Sequence, residues 1–284
     1  MKNEQNKRFR PGASDPLTVA VTQRDRDIVS MVADAIATNH TRLAFQPVIV
    51  ARDGGRVGFY EGLIRVMDAT GRIIQAGDFM PQVEKTELGR EIDVLALHKG
   101  LKALHAHPNI RLSINMSARS IGYTKWMRAL RRWLDRDPTI GERLILEITE
   151  TSAMDQPEVT VDFMNQLSRY GICFAIDDFG AGHTALRYFK EFYFDVMKVD
   201  GSFCRDISQD PDNRALVRAM ISIAHHFDML TIAEGVENAA DADCLSELGF
   251  DCLQGYYFGA PTLTPPWNEG TASGDSLFPK PAAA

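Results

Sequence analysis

Hydrophobic runs of strand length alternate with segments of helical period along most of the chain. The first two runs, 43–50 and 56–66, are separated by Asp53-Gly54-Gly55, which is a turn signal. No helix fits between them, so they predict a β-hairpin. Each later apolar run is followed by a segment in which apolar residues recur every three or four positions, the spacing of an amphipathic helix.

This pattern predicts a closed barrel. It places strands at 43–50, 56–66, 110–116, 144–148, 172–176, 194–199, 230–233 and from 252 onward. It places helices at 87–105, 118–134, 157–170, 184–189, 211–227 and 239–248. Alternating strands and helices give parallel strands with right-handed crossovers. The fold class is therefore α/β, a (β/α)8 barrel whose first strand is antiparallel because it belongs to the hairpin.

An open doubly wound sheet is the alternative topology, and it would bind a ligand at a single crevice. Polar residues at the ends of successive apolar runs favour the barrel: Asn115, Glu147, Asp177, Lys198, Glu234 and Gln254. In a barrel of parallel strands, the carboxyl ends all face the side that carries the chemistry. Because charged groups are rarely buried unless they are paired or bind a metal, these residues predict one shared pocket.

The pair Asp177-Asp178 predicts a cation site. Two adjacent carboxylates repel each other unless a cation compensates them, although a turn with aspartates capping nearby amides is the alternative interpretation. Glu61, Asn115 and Glu147 also lie at strand ends. An all-oxygen ligand set of this kind suits Mg²⁺ or Mn²⁺. There are enough carboxylates for two ions, the usual arrangement for attack on a phosphodiester.

Three further charged residues have both a functional and a structural interpretation. Lys198 ends an apolar strand, where it could stabilise an attacking water or a phosphate, or simply extend its ammonium to solvent. Arg65 follows Glu61 by four residues on the same strand face, where it could bind a phosphate or form a structural salt bridge. Glu150, three residues after Glu147, fits the orientation of a loop better than metal binding.

Composition narrows the class of protein. The 284 residues are 45% hydrophobic and 24% charged, as in soluble globular proteins, and the net charge of −7 offers no basic surface for duplex nucleic acid. No apolar stretch could span a membrane, and the four cysteines include no C-x-x-C pair, so we expect reduced thiols and a cytoplasmic location. We expect disordered tails at 1–20 and 268–284 around one domain, 21–267.

These motifs resemble the EAL-domain family, bacterial phosphodiesterases of cyclic di-GMP, over roughly residues 28–265. Glu61-Gly62-Leu63 stands at the position of the E-A-L signature and is followed by Arg65. The other matching segments are Phe45-Gln46-Pro47-Val48, Ser113-Ile-Asn115-Met-Ser117, Leu146-Glu147-Ile-Thr-Glu150, Asp177-Asp178-Phe179-Gly180, Met197-Lys198-Val199-Asp200, Ala233-Glu234-Gly235-Val236-Glu237 and Gln254-Gly255-Tyr256.

The resemblance implies a TIM-like barrel and the hydrolysis of cyclic di-GMP to linear pGpG with two Mg²⁺ or Mn²⁺ ions per site. It implies that the first ion is held by Glu61, Asn115, Glu147 and Asp177. The second would be held by Asp177, Asp178 and Glu234. Lys198 would lie beside the attacking water, with Glu234 as the alternative general base. The substrate would contact Gln46, Leu63, Arg65 and Gln254, and Glu150 would anchor the loop after Asp178.

Two departures from the family pattern bear on activity. Gly62 replaces the alanine of the signature, and 181–185 reads Ala-Gly-His-Thr-Ala where Thr-Gly-Tyr-Ser-Ser is usual. That loop couples metal binding to a homodimer interface in the family, so His183 and Ala185 concern the tuning of activity.

The alternative function is a weak or inactive cyclic di-GMP receptor that acts through a regulatory protein partner. A metal-dependent barrel hydrolase of another substrate ranks third. The intact ligands and lysine favour the cyclic di-GMP phosphodiesterase.

Overall fold

Eight of the nine strands close into a barrel in the structure, a computed structural model that describes residues 16–53, 55–182, 189–264 and 267. The strands are β1 (Thr41–Val50), β2 (Val57–Met67), β3 (Ile73–Gln75), β4 (Leu112–Asn115), β5 (Leu144–Thr149), β6 (Cys173–Phe179), β7 (Val196–Val199), β8 (Leu230–Ala233) and β9 (Cys252–Leu253). The barrel order is β1-β9-β8-β7-β6-β5-β4-β2, and β1 pairs with β2 to complete the ring.

The first strand runs against its neighbours. β1 is antiparallel to both β2 and β9, whereas every other pair inside the barrel is parallel. A short connection such as the one between β1 and β2 can only join antiparallel strands, because a parallel pair needs a crossover of a dozen residues or more. The predicted TIM-like α/β barrel with an antiparallel first strand is therefore confirmed.

Helices follow the parallel strands and cover the outside of the barrel. They are α1 (Pro16–Ala37), α2 (Ala76–Val83), α3 (Glu87–Ala106), α4 (Thr124–Arg136), α5 (Glu150–Asp155), α6 (Pro157–Ser168), α7 (Gly201–Cys204), α8 (Pro211–His226) and α9 (Ala239–Leu248). Local chemistry fixes several ends. Asp210 accepts hydrogen bonds from the first free N–H groups of α8, and Gly249 ends α9 in the left-handed conformation. None of the helices in the described ranges is long and apolar enough to span a bilayer.

The helix predicted at 118–134 is wrong in its first turns. Residues Ala118–Ser120 form a 3₁₀ turn, and α4 starts only at Thr124. Gly122 between them has a φ of +73°, a left-handed conformation that an α-helix cannot include. The predicted helix at 184–189 falls mostly on residues outside the described ranges.

The N-terminal helix was not predicted, and it starts inside the stretch expected to be a disordered tail. α1 begins at Pro16, and the domain boundaries at residues 20 and 267 stay a prediction. Val32 and Ala35 of α1 are buried against the core, with Ile28 packed beside them. Their spacing of three and four residues is a helical signal, which the polar run 22–27 precedes. The strand β3 and the helix α2 were also not predicted. Residues 1–15 and 268–284 lie outside the described residues.

The core has two layers. One lies between the barrel wall and the helices. The other fills the barrel interior, and its members come from seven different strands: Val48, Phe59, Ile145, Ala175, Val196, Ile232 and Cys252. We call these seven residues the apolar floor, because the next layer of inward-facing side chains packs directly above them.

Gly62, the departure from the family signature, is explained by packing. A Cβ at this position would lie 2.7 Å from Cδ1 of Ile114 on the neighbouring strand β4, and a Cβ at Gly100 of α3 would lie 2.7 Å from the same atom. Ile114 is itself buried. The δ-methyl group of Ile114 therefore occupies space that the alanine of the signature would need.

This packing gives a testable stability coupling. Gly62→Ala is expected to lower the free energy of unfolding by about 1–2 kcal/mol, because overpacking outweighs the reduced entropy of the unfolded chain. Ile114→Val removes the blocking methyl group and alone costs about 1 kcal/mol. The double variant should lose at least ~0.5 kcal/mol less than the sum of the two losses, in urea denaturation. In the control Gly77→Ala, where a Cβ meets nothing within 4 Å, no loss is expected. Strict additivity would refute the packing explanation.

Candidate active site

One layer above the apolar floor, the barrel interior becomes polar. Side chains two positions apart on a strand share a face. The residue two positions after each residue of the apolar floor therefore also points into the barrel. The pairs are Phe59 and Glu61, Ile145 and Glu147, Ala175 and Asp177, Val196 and Lys198, Ile232 and Glu234, and Cys252 and Gln254. On the antiparallel β1 the direction reverses, and Gln46 precedes Val48. The barrel thus brings to one end the polar residues that the sequence places at successive strand ends.

Lys198 is at the centre of this layer. Its side chain is 1% exposed, and its Nζ atom lies 2.8–3.5 Å from carboxylate oxygens of four residues, Glu234, Asp177, Glu147 and Glu61. The predicted alternative, a lysine extending to solvent, is wrong, because the barrel interior encloses the ammonium. The amide groups of Asn115 and Gln254 complete the layer by donating to Glu61, at 2.7 and 2.6 Å.

The carboxylates outnumber the ammonium. Four acidic groups surround Lys198, and Asp178 lies beside them. Burial raises the pKa of Glu234 to about 8, with Asp177 and Glu61 adding to the rise and Lys198 opposing it. Burial and the charge of Glu61 also hold the pKa of Glu147 well above its usual range. The four carboxylates hold the pKa of Lys198 well above its ordinary value although burial opposes this, so the lysine stays charged.

Asp178 reaches the site through a backbone irregularity. Strict alternation along β6 would direct Asp177 and Asp178 to opposite faces. Instead, Ile176 pairs with Met197 and Phe179 with Val199, so two residues of β6 stand opposite the single residue Lys198 of β7. Asp178 has a φ of +54°, in the left-handed region that aspartate and asparagine tolerate best among the non-glycine residues. Burial and the neighbouring Asp177 raise the pKa of Asp178 to about 6.

The residues present fit a divalent cation. Oxygen atoms of Asp177, Asp178 and Glu234 lie within 4.8 Å of one another, so this cluster could hold a metal ion. A carboxylate oxygen of Glu147, Oε1, is buried and has no hydrogen-bond partner among the described residues. Buried acceptors normally have a partner, so this orphaned oxygen is a free ligand position. The donor set is all oxygen, which suits Mg²⁺ or Mn²⁺.

A cavity of about 400 Å³ opens beside the acidic layer. Its lining includes all four residues predicted to contact the substrate, Gln46, Leu63, Arg65 and Gln254, together with Glu61 and Glu234. Arg65 lies in the part of β2 that extends beyond its last pair with β4. This part of β2 pairs with β3 instead, and Gln75 of β3 is the partner of Arg65. Its side chain is buried, and its Nη1 atom donates to the carbonyl of Ile64. No described carboxylate forms an ion pair with it, so the predicted alternative of a structural salt bridge is not observed.

The lining also includes Asp200 and Tyr256, which the sequence motifs contain without an assigned role, and Arg205, which no motif contains. Arg205 lies at the end of the short helix α7, and its guanidinium approaches both Gly201 and Gly235. A Cβ on Gly235 would lie within 3.4 Å of Arg205 Nε. Nothing in the strand-end pattern marks Arg205, because it does not belong to a strand.

The loop after β6 is connected to the next strand end. Glu150, the first residue of α5, is buried, and its Oε2 atom accepts a hydrogen bond from the Gly180 N–H at 3.0 Å. Gly182 lies beside the same carboxyl group. Residues 183–188, including His183 and Ala185, lie outside the described ranges. The role of Glu150 as a loop anchor stays a prediction, as do the metal-binding, catalytic and substrate-contact roles above.

The fold and the site together define a class of protein. An eight-stranded barrel with an antiparallel first strand, a central lysine and a surrounding layer of carboxylates at the strand ends is a TIM-like barrel with an acidic centre at the end of the barrel that carries the chemistry in this fold. Comparison with known families makes this specific. The chain belongs to the EAL-domain family, whose model matches residues 29–261.

Several proteins resemble this chain. Over 247 residues it is 29% identical to MucR of Pseudomonas aeruginosa, a bifunctional diguanylate cyclase/cyclic di-GMP phosphodiesterase, covering 85% of this chain and 36% of MucR. It is 29% identical to the cyclic di-GMP phosphodiesterase PdeR of Escherichia coli, covering 80% of this chain and 35% of PdeR. The chain therefore spans about a third of the length of these relatives.

Solved structures agree with the fold. A cyclic di-GMP complex of the MucR phosphodiesterase superposes with a TM-score of 0.77 at 28% identity, covering 86% of this chain and 99% of that one. The EAL domain of FimX from Pseudomonas aeruginosa, bound to cyclic di-GMP, gives a TM-score of 0.76 at 26% identity, covering 84% and 97%.

Proposed function

We propose that this protein is a metal-dependent phosphodiesterase that hydrolyses cyclic di-GMP to linear pGpG. The observation that carries the proposal is the buried layer of carboxylates around Lys198 at the strand carboxyl ends. Family relatives named as cyclic di-GMP phosphodiesterases support the choice of substrate. The proposal places the protein in the cytoplasm, which its four free cysteines favour.

In the proposed reaction, a water oxygen forms a bond to phosphorus and the bond from phosphorus to a ribose 3′ oxygen breaks. The departing oxygen takes up a proton, and the attacking water loses one. Because its surroundings keep Lys198 charged, the lysine would serve as a cation that stabilises negative charge on the phosphate. The proton of the water would then pass to a carboxylate, and Glu234, which lies 2.8 Å from the lysine, is the candidate.

The metal ligands of the proposal are those at the strand ends. Glu61, Asn115, Glu147 and Asp177 would hold one ion, and Asp177, Asp178 and Glu234 the second. Bound divalent ions would lower the pKa of the attacking water and offset the charge of the phosphodiester.

The proposed substrate site is the cavity beside the acidic layer. Cyclic di-GMP carries two phosphodiester charges, and Arg65 presents a buried guanidinium without a carboxylate partner among the described residues. A cation in that state is suited to bind an anion. Arg205, on the same cavity wall, carries a second positive charge and lies 3.7 Å from a carboxylate oxygen of Glu237.

Metal removal gives the direct test of this function. The purified protein with Mg²⁺ or Mn²⁺ should convert cyclic di-GMP to pGpG, as followed by chromatography. EDTA should abolish the conversion, and added Mg²⁺ or Mn²⁺ should restore it. Ca²⁺ should inhibit, because its longer bonds and looser geometry do not suit the site. Mg²⁺ should also raise the midpoint of thermal unfolding, since a ligand that binds only the folded state stabilises it. Undiminished hydrolysis after exhaustive chelation would contradict the metal-dependent mechanism.

The same assay separates the enzyme from the receptor. A receptor that works through a protein partner would bind cyclic di-GMP, measured by calorimetry, and release no pGpG in Mg²⁺ or Mn²⁺. The complete set of strand-end ligands and the enclosed lysine support the enzyme.

The proposal includes a homodimer whose association is linked to catalysis through residues 179–186. The described part of this segment starts at the acidic layer and is tied to Glu150 through Gly180. Activity per chain should therefore rise as protein concentration crosses the dimerisation range, with light scattering reporting the oligomer. A strictly monomeric protein with concentration-independent activity would rule out the coupling.

A further inference from the structure

A groove of about 1160 Å³ lies between α4 and α6 on the outer wall of the barrel. Arginines of α4 form one side of it: Arg128, Arg131, Arg132 and Arg136. Apolar side chains from both helices and from the turn before α4 also line the groove: Ile121, Met127, Val159 and Phe163. The groove shares none of its lining residues with the acidic layer or the adjoining substrate cavity.

The groove is rich in positive charge, although the whole chain is negatively charged. Five of the thirteen residues of α4 are cationic, although the protein carries a net charge of −7. Lys125 pairs with Glu91 on α3, and Arg136 stacks on Trp133. Within the part of the chain that the structure describes, no ion pair involves Arg128, Arg131 or Arg132.

The arrangement is unfavourable for the helix on its own. Arg128 and Arg132 are four residues apart, as are Arg132 and Arg136, so like charges face each other along one side. α4 also has no acidic residue in its first turn, where the helix dipole favours one. Carboxylates of a bound partner would relieve both the repulsion and the lack of ion pairs.

We propose that this groove binds an acidic, amphipathic segment of a partner protein. The arginine side chains would pair with the carboxylates of this segment, and the apolar side chains of the groove would contact its apolar face. Val159, which lines the groove, is 46% exposed and leaves apolar surface available to such a segment. α4 is about 20 Å long, which matches a helical segment of roughly 14 residues.

Other occupants fit less well. A second copy of this chain on a twofold axis would bring the same arginines face to face, which is repulsive. Nucleic acid would bind the arginines but not the apolar side chains of the groove, and the net negative charge of the chain would repel it. A lipid surface would not enter a concave groove.

Fluorescence anisotropy with a labelled 14-residue probe tests the proposal on the full chain. The probe has leucine at every third or fourth position and glutamate elsewhere, and a matched peptide has lysine in place of glutamate. We expect the acidic peptide to bind at least tenfold more tightly, with affinity falling as salt is raised. Equal binding of the two peptides would overturn the proposal.

Two substitutions locate the binding. Val159→Asp places a carboxylate among the arginines, and Arg128→Glu with Arg132→Glu reverses the charge of the groove. Each should weaken binding of the acidic peptide at least tenfold and leave cyclic di-GMP hydrolysis unchanged. The controls make the same changes on α8, Leu216→Asp and Arg214→Glu with Arg218→Glu, and should leave binding within about twofold. Leu216 is 49% exposed, much like Val159, so both apolar changes are at exposed sites.

Retained binding in the groove variants, or an equal loss in the α8 controls, would refute the assignment. So would groove-dependent binding of a single-stranded oligonucleotide or of phosphatidylserine vesicles that is tighter than that of the peptide. A change in self-association of the groove variants, measured by sedimentation, would assign the groove to a second copy of this chain instead.

Discussion

Replacing Asp178 by asparagine is expected to lower the turnover of cyclic di-GMP by at least ~100-fold while changing its affinity little. The substitution removes one negative charge from the cluster with Asp177 and Glu234, so a divalent ion there would be held and polarised less strongly. Asparagine tolerates the left-handed backbone at this position, so the loop geometry should persist. Turnover is measured under saturating substrate, and affinity by calorimetry.

The same substitution should not destabilise the metal-free protein. The repulsion between Asp177 and Asp178 that contributes to the raised pKa of Asp178 disappears with the charge, so the direction expected at neutral pH is a gain in stability. Asp228→Asn is the matched control, because Asp228 is exposed and also has a left-handed φ, +56°, outside the site. Hydrolysis by Asp178→Asn within a few-fold of the unsubstituted protein would show that Asp178 is not a metal ligand.

Replacing Lys198 by methionine should affect both catalysis and stability. Methionine keeps most of the volume but leaves Glu147 and Asp177, both buried, without their cation. Removing one partner of a buried ion pair costs about 3–5 kcal/mol, so we expect a loss of that size in the metal-free protein. Hydrolysis should fall at least ~100-fold, because the proposed mechanism loses its cation beside the reacting phosphate.

Metal ions distinguish this result from a simple folding defect. Mg²⁺ or Mn²⁺ can supply the positive charge that the carboxylates lack, so the metal-induced rise in unfolding temperature should be larger in Lys198→Met than in the unsubstituted protein. Lys102→Met, at an exposed position of α3, should change neither stability nor turnover appreciably. Unchanged metal-free stability of Lys198→Met would mean that the surrounding carboxylates are neutral in the folded protein.

Much of the fold follows from short-range pattern. The hairpin was predictable because the turn at Asp53 leaves no room for a crossover, and the later strands because apolar runs alternate with helical periods. The elements that were missed have weak local signals. The polar run 22–27 interrupts the apolar spacing of helix α1, and Val32 and Ala35 beyond it pack on the core. The start of α4 depends on the left-handed Gly122, whose conformation the hydrophobic period does not reveal.

The candidate site was largely predictable for a geometric reason. Strand alternation puts every second residue inside the barrel, so the residue after each apolar strand core must join the polar layer. Glu61, Glu147 and Lys198 follow this rule. Asp178 breaks it, because only the bulge opposite Lys198 brings two successive residues of β6 into one site.

The sequence by itself determined the barrel, the antiparallel first strand and the polar residues at the strand ends, since each depends on the spacing of nearby residues. The tertiary structure decided what depends on distant residues meeting: the enclosure of Lys198 by four carboxylates, the space shared by Gly62 and Gly100 around Ile114, and the arginine groove between α4 and α6. Strand periodicity fixes the face on which a side chain lies. Closure of the barrel and packing of the helices fix which side chains come into contact across it.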